Sequence, residues 1–157
     1  MPCSPNALQA RLVWQAVVDV GEREPWGLGP RGERWGVPIL GGHFWGASGF
    51  EGLHGLVCAG GADRQTLRPD GIKELDALYE MRTHDGALLT VHNQVLIDES
   101  VQPERYARSC IRVSAPQGPA QGRLDAGQKQ GEGAGKRKGR TLRFALSTPV
   151  AFTRAPG

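Results

Sequence analysis

The sequence predicts an all-β protein, a single antiparallel β-barrel of the up-and-down, lipocalin-like kind. Three observations carry that prediction. The 157-residue chain holds 23 glycines against 4 Phe, 4 Trp and 2 Tyr, and Gly costs about 1 kcal/mol relative to Ala inside a helix, so a helical bundle fits poorly. Between Gly41 and Asn93, short apolar-alternating stretches are separated by GG, SG, GG, DG and DG pairs. Residues 72–83 alternate with period two: Leu75, Ala77, Tyr79 and Met81 on one face, Glu74, Asp76, Glu80 and Arg82 on the other, Leu78 being the exception.

The elements follow in order. Residues 1–7 form a flexible N-terminus and 8–157 one barrel domain. Leu12, Trp14, Ala16 and Val18 alternate through 8–20, and β-branched enrichment before Gly21 favours a strand there. The stretch GEREPWGLGPRGER reads as a loop, its Pro and Gly too dense for a regular element. A strand resumes at Trp35 and runs through Val37-Pro38-Ile39-Leu40 to Gly41-Gly42. Further strands are read near 43–46, 50–59, 62–69, 72–83 and 87–95. Asp70-Gly71 and Asp85-Gly86 are read as type I′ hairpin turns, in which both central residues have positive φ. After a loop or helical turn at 98–106, ARSCIRVSA and TLRFALSTPVAFT supply the remaining strands, with a break at Pro149. The segment 116–140 is rich in Gly, Gln and Lys with almost no apolar content, and reads as a disordered insertion. Closing such a meander into a barrel removes the exposed edges that invite aggregation.

Charge narrows the partners. Of the 19 basic residues six lie in 116–140, with two of the 16 acidic ones; the remainder holds 13 basic and 14 acidic residues, a net of −1. The formal +3 of the whole chain is therefore no basic binding face, and no nucleic-acid partner is expected. No apolar run approaches the ~18 residues of a membrane span, and the N-terminus lacks a signal-peptide pattern. Cys3, Cys58 and Cys110 are odd in number with no CxxC pair, which fits free thiols and a cytoplasmic setting. No membrane partner is expected, and a homo-oligomer is left open.

Six motifs run in order through the centre of the chain: Val37-Pro38-Ile39, Gly41-Gly42-His43-Phe44-Trp45-Gly46, Gly60-Gly61-Ala62-Asp63, Arg68-Pro69-Asp70-Gly71, Leu75-Asp76-Ala77-Leu78-Tyr79 and Thr83-His84-Asp85-Gly86-Ala87. In order and spacing they resemble the pattern of a known family, Domain of Unknown Function 3237, also catalogued as UPF0311. The resemblance implies an antiparallel barrel of largely unassigned role. Arg64 stands where an aromatic often follows the GGAD step, Val95 where a glycine is usual, and the last third is loosely matched.

Polar residues on a barrel interior are the candidates for chemistry. Asp63, at the start of a strand, is the candidate base or hydroxyl anchor; the alternative is that it satisfies turn amides. Tyr79, on the apolar face of the best strand, is the candidate acid or oxyanion donor, or else a core tyrosine. Asn93 shares a face with Ala87, Leu89 and Val91, which points it inward and His92 outward. His43, Arg64 and Asn93 are the candidates for orienting a substrate. His43 and His54 lie in neighbouring strands, but no HxH or HExxH spacing is present and no metal is expected. GxxxxGK[ST], GxGxxG and GxSxG are absent too, and no cofactor is expected.

These residues fit a small-molecule barrel doing mild acid–base chemistry on an organic substrate, as an isomerase, cyclase or lyase. The alternatives are a binding protein with the same pocket and no turnover, or a structural or oligomerisation module with a solidly packed interior.

Overall fold

The computed structural model describes residues 12–98, 100, 101, 106–120 and 122, and the backbone of strands at 142–146 and 152–154. Among the described residues there are ten strands in one sheet: β1 (Trp14–Val20), β2 (Glu24–Gly29), β3 (Gly32–Gly46), β4 (Gly55–Val57), β5 (Ala62–Leu67), β6 (Ile72–Thr83), β7 (Leu88–Asp98), β8 (Tyr106–Ser114), β9 (Leu142–Leu146) and β10 (Phe152–Arg154). The path runs β10-β1-β3-β4-β6-β7-β8-β9, with β2 on β3 and β5 between β3 and β6.

Seven strand positions underlie this order. β1 and β2 lie end to end along one edge of β3, pairing with its residues 39–46 and 32–36. β4 and β5 lie end to end along the other edge, both also pairing with β6. β9 lies antiparallel to β8, and β10 parallel to β1. Only five residues separate β9 from β10, a reach of at most about 20 Å. A flat sheet of eight strands would hold its edges roughly 34 Å apart, so the sheet must curl round on itself. Counting β9 and β10 as one broken strand, the seventh position runs in the same direction as the first. An odd antiparallel meander closes through a parallel seam, and β1 with β10 is that seam.

The reading of an antiparallel barrel therefore stands, with particular corrections. The glycine- and proline-rich stretch read as a loop contains β2, an edge strand whose backbone pairs with β3 although its side chains make no alternating face. The strand read at 50–59 shrinks to Gly55–Val57. Residues 47–54 instead form a loop that buries Phe50 and Leu53. Cys58, within the strand read at 50–59, sits half-buried at the break between β4 and β5. The two DG turns are not type I′, since no described residue other than glycine has positive φ. Each connection is four residues long, 68–71 and 84–87, with Gly alone in the left-handed region, Gly71 at φ +84 and Gly86 at φ +89. The bonds Gly71 N–H to Arg68 O and Gly86 N–H to Thr83 O, 3.0 and 2.9 Å, close them. The aspartates serve through their carboxylates: Asp70 accepts from the Ile72 amide and Asp85 from the Thr83 hydroxyl. Of the insertion read at 116–140, all but 116–120 and 122 lies outside the described residues; Ala120 is buried against the core.

The interior is not uniform from end to end. Towards the β6–β7 turn, Phe44, Leu53, Met81, Leu89, Val91 and Val113 are all 2% exposed or less and form the main apolar cluster. Towards the β5–β6 turn, the inward positions include Gln65, Lys73, Val95 and Ser109, all only half-buried.

Candidate functional site

The site lies where those two halves meet. One inward row crosses the sheet as Val37, Asp63, Ala77, Asn93 and Ile111, each the register partner of the next. Partners in adjacent antiparallel strands stand about 5 Å apart. Asp63 and Asn93 therefore flank Ala77, whose methyl group leaves space between them. Tyr79, two residues further along β6, is the diagonal neighbour of both.

The GGAD step explains how Asp63 comes to face inward. Val57 pairs with Met81 and Asp63 with Ala77, so six residues on one side match four on the other. The two extra residues are absorbed at a bulge where Gly60 takes φ +105. Gly61 then passes so close over Tyr79 that an added Cβ would sit 2.5 Å from the Tyr79 Cβ. The strand emerges with Asp63 inward at 1% exposure.

Asp63 is not the turn-capping aspartate of the alternative reading. Its Oδ2 accepts from Gln65 Nε2 at 2.8 Å, while Oδ1 is buried with no hydrogen-bond partner. Burial pushes its carboxyl above the ordinary aspartate range, opposed by the Gln65 bond, the Asp76 backbone amide and the Lys73 charge. Tyr79 is 8% exposed, and burial alone pushes its phenol up to about 12, so it stays protonated across the neutral range. Among the described residues its hydroxyl makes no hydrogen bond. Asn93, 4% exposed, accepts from the Ser109 hydroxyl through Oδ1 at 2.5 Å.

Two of the residues singled out for substrate contact point the other way. His43 is exposed and stacks on Trp45 with ring centroids 5.3 Å apart. A bulge between Asp19 and Val20 on β1 leaves Leu40 unpaired on β3, which shifts the alternation by one. Phe44 thereby turns inward and His43 outward. Arg64 follows Asp63 on a regular strand and must face away from it; it is exposed. His92 is outward as expected, with Nε2 2.6 Å from Asp76 Oδ1. His54 stacks on His84 at 4.1 Å rather than meeting His43. Among the described residues no three His, Cys, Asp or Glu side chains are grouped to hold a metal. A shallow cleft of about 390 Å³ lined by Pro30, Arg31, Arg68, Pro69 and Asp70 lies away from this row. Its arginines are already paired with Asp70 and Glu74.

Gln65 and Ser109 were not picked out from the sequence. Gln65 carried a signal, lying two residues beyond Asp63 on the same face. Ser109 became visible only through the β7–β8 register. No described helix is long and apolar enough to cross a membrane.

The fold and this row define a barrel-like all-β protein with two buried polar side chains, Asp63 and Asn93, in an otherwise apolar inner row. Comparison with known proteins gives the family. Residues 8–109 match the family model described as Protein of unknown function (DUF3237), and the chain belongs to that family. A UPF0311 protein of Rhodopseudomonas palustris is 37% identical over 86 residues, 55% of this chain and 54% of its own length. One from Clostridium acetobutylicum is 40% identical over 62 residues, 40% of this chain and 37% of its own. The chain thus matches about half the length or less of these curated relatives. A crystal structure of a protein of unknown function from C. acetobutylicum is similar at a TM-score of 0.63 and 26% identity, covering 75% of this chain and 85% of that one. A beta-barrel like protein of Acinetobacter baumannii, 23% identical at a TM-score of 0.60 over 75% of this chain and 82% of that one, shares the fold.

Proposed function

We propose that the protein binds a small organic molecule inside the barrel and performs cofactor-independent acid–base chemistry on it. Isomerisation, cyclisation or elimination are the reaction types that need no more than this. The observation that carries the reading is the unpartnered Oδ1 of Asp63. An unpaired polar atom at that depth costs about 1–3 kcal/mol, a cost that a ligand hydroxyl or acidic C–H would offset. A carboxyl held above its ordinary range is a stronger base once ionised, so Asp63 takes the proton. Tyr79, protonated and without a bond partner among the described residues, donates to a ligand oxygen as negative charge develops there. Asn93, held through Oδ1 by Ser109, orients the ligand.

Native mass spectrometry of the purified protein tests this. The wild type and Arg64→Ala should retain a co-purifying small molecule or capture one from a metabolite extract, and Asp63→Asn should not. Equal retention by Asp63→Asn and Tyr79→Phe, or no captured molecule in any form, would overturn the reading. With a ligand in hand, a catalyst loses turnover in Asp63→Asn while a pure binder shows none in the wild type.

A further inference from the structure

We infer that the barrel mouth is an anion anchor built on Lys73, and that the site selects small organic acids bearing a hydroxyl at the far end. The inference rests on the interior site proposed above and adds the class of ligand. Lys73 belongs to the inward column of β6 with Leu75, Ala77 and Tyr79, and its register partners are Leu67 and Ile97. Ile97 is 7% exposed and Leu67 38%, which places this row at the rim where the interior opens. Lys73 itself is half-buried and has no ion pair among the described residues. Its neighbour Glu74 faces outward and holds Arg31 at 2.5 Å. The carboxylate in the same row, Glu33, is exposed beyond Leu67 and does not pair with it. The Lys73 charge is nonetheless felt at Asp63.

Arg23 places a second cation at this end, its guanidinium 4.4 Å from the centre of the Trp35 indole. Trp35 faces inward in the row of Gln65 and Leu75. The surface therefore grades from Lys73 and the exposed Arg23 at the mouth to an unpartnered carboxyl oxygen of Asp63 at the floor. A half-buried ammonium without a counter-ion attracts a ligand anion more strongly than an exposed one.

The span sets the size of the ligand. Ala77, the level of Asp63, lies four positions beyond Lys73, a backbone rise of about 13 Å. A hydrogen bond of about 2.8 Å at each end takes up about 6 Å of that. Roughly 7 Å remains, the length of one substituted ring with its acid at the mouth and its hydroxyl donating to Asp63 Oδ1.

Three probes on one ring test the inference: 4-hydroxybenzoate, 4-hydroxybenzamide and benzoate, with dissociation constants from titration followed by ligand-observed NMR. The hydroxy acid should bind the wild type roughly fivefold tighter than the amide, the value of about one partly screened ion pair. Lys73→Met should abolish that advantage while leaving amide affinity unchanged, and Arg82→Met on the outer face should change neither. Asp63→Asn should weaken both hydroxylated probes and leave benzoate unchanged. Equal binding of acid and amide, an advantage that survives Lys73→Met, or no binding of the acid overturns the anion anchor. If the amide then still depends on Asp63, the interior site stands without its anchor. If Asp63→Asn changes no probe that binds, the interior site itself is wrong.

Discussion

The two ends of the barrel contrast within one sheet. At the β6–β7 end, Met81 and Leu89 are fully buried, and Phe50 and Leu53 from the loop at 47–54 cap the interior. At the β5–β6 end the same strands send Gln65, Lys73, Val95 and Ser109 inward, and burial is incomplete. β3, β6, β7 and β8 run through both halves, while β1 with β2 and β4 with β5 divide between them, so most of the backbone pairing is shared and the side chains make the difference. One end supplies cohesion that a domain cannot do without, and the other carries half-buried polar side chains. Gln65 and Ser109 are bonded there to Asp63 and Asn93, and Lys73 is without an ion pair among the described residues. The boundary between them is the row holding Asp63 and Asn93.

The contrast is broken or sharpened by substitutions taken from the largest expected effect downward. Phe44→Ala in the closed end should cost about 3–5 kcal/mol in chemical denaturation, whereas Val95→Ala in the open end should cost about 1 kcal/mol or less. Equal costs would erase the asymmetry. Gly61→Ala places a Cβ 2.5 Å from the Tyr79 Cβ and 2.7 Å from the Leu78 carbonyl oxygen, and should cost about 1–3 kcal/mol while displacing Tyr79. A thermal scan that leaves Gly61→Ala at the wild-type midpoint would show that the close approach is not needed.

Asp63→Asn should act in the opposite direction, stabilising the fold by about 1 kcal/mol near neutral pH. The sign follows from its raised carboxyl. A folded-state value above the unfolded one means that the stability this group contributes is fully present below the unfolded value. That contribution is lost as pH rises through the folded value. The gap between variant and wild type should therefore widen from acid to neutral pH; a constant or inverted gap in denaturation midpoints would contradict it. Tyr79→Phe should be smallest, within about 0.5 kcal/mol, because the hydroxyl makes no bond among the described residues; a conventional core tyrosine would lose about 1 kcal/mol with its hydrogen bond.

Much of this molecule is legible in its residues where local periodicity and burial agree. Ile72–Thr83 could be bounded from its flanking DG pairs and faced from alternation, and Leu75, Ala77, Tyr79 and Met81 are indeed buried, with Thr83 beside them. That same face was enough to orient Tyr79, and the next hairpin enough to orient Asn93. Legibility fails where pairing overrides composition. β2 has no apolar face, and only its hydrogen bonds to β3 make Glu24–Gly29 a strand. A bulge is likewise a property of two strands at once, which is why His43 and Phe44 exchange faces without any local mark. Arg64 is a different case, since strict alternation after an inward Asp63 already excluded it.

The parallel seam between β1 and β10 carries a kinetic consequence. It joins Val18 to Phe152, whereas β6 and β7 meet across a single turn. Local hairpins close at low entropic cost, while contacts so distant in the chain form late. Assembly should run from the central hairpins outward, with the seam zipping last. In native-state hydrogen exchange, the amides of Val18–Val20 should then exchange through smaller openings than those of β6 and β7. A ligand that fills the interior would slow that exchange without touching the seam.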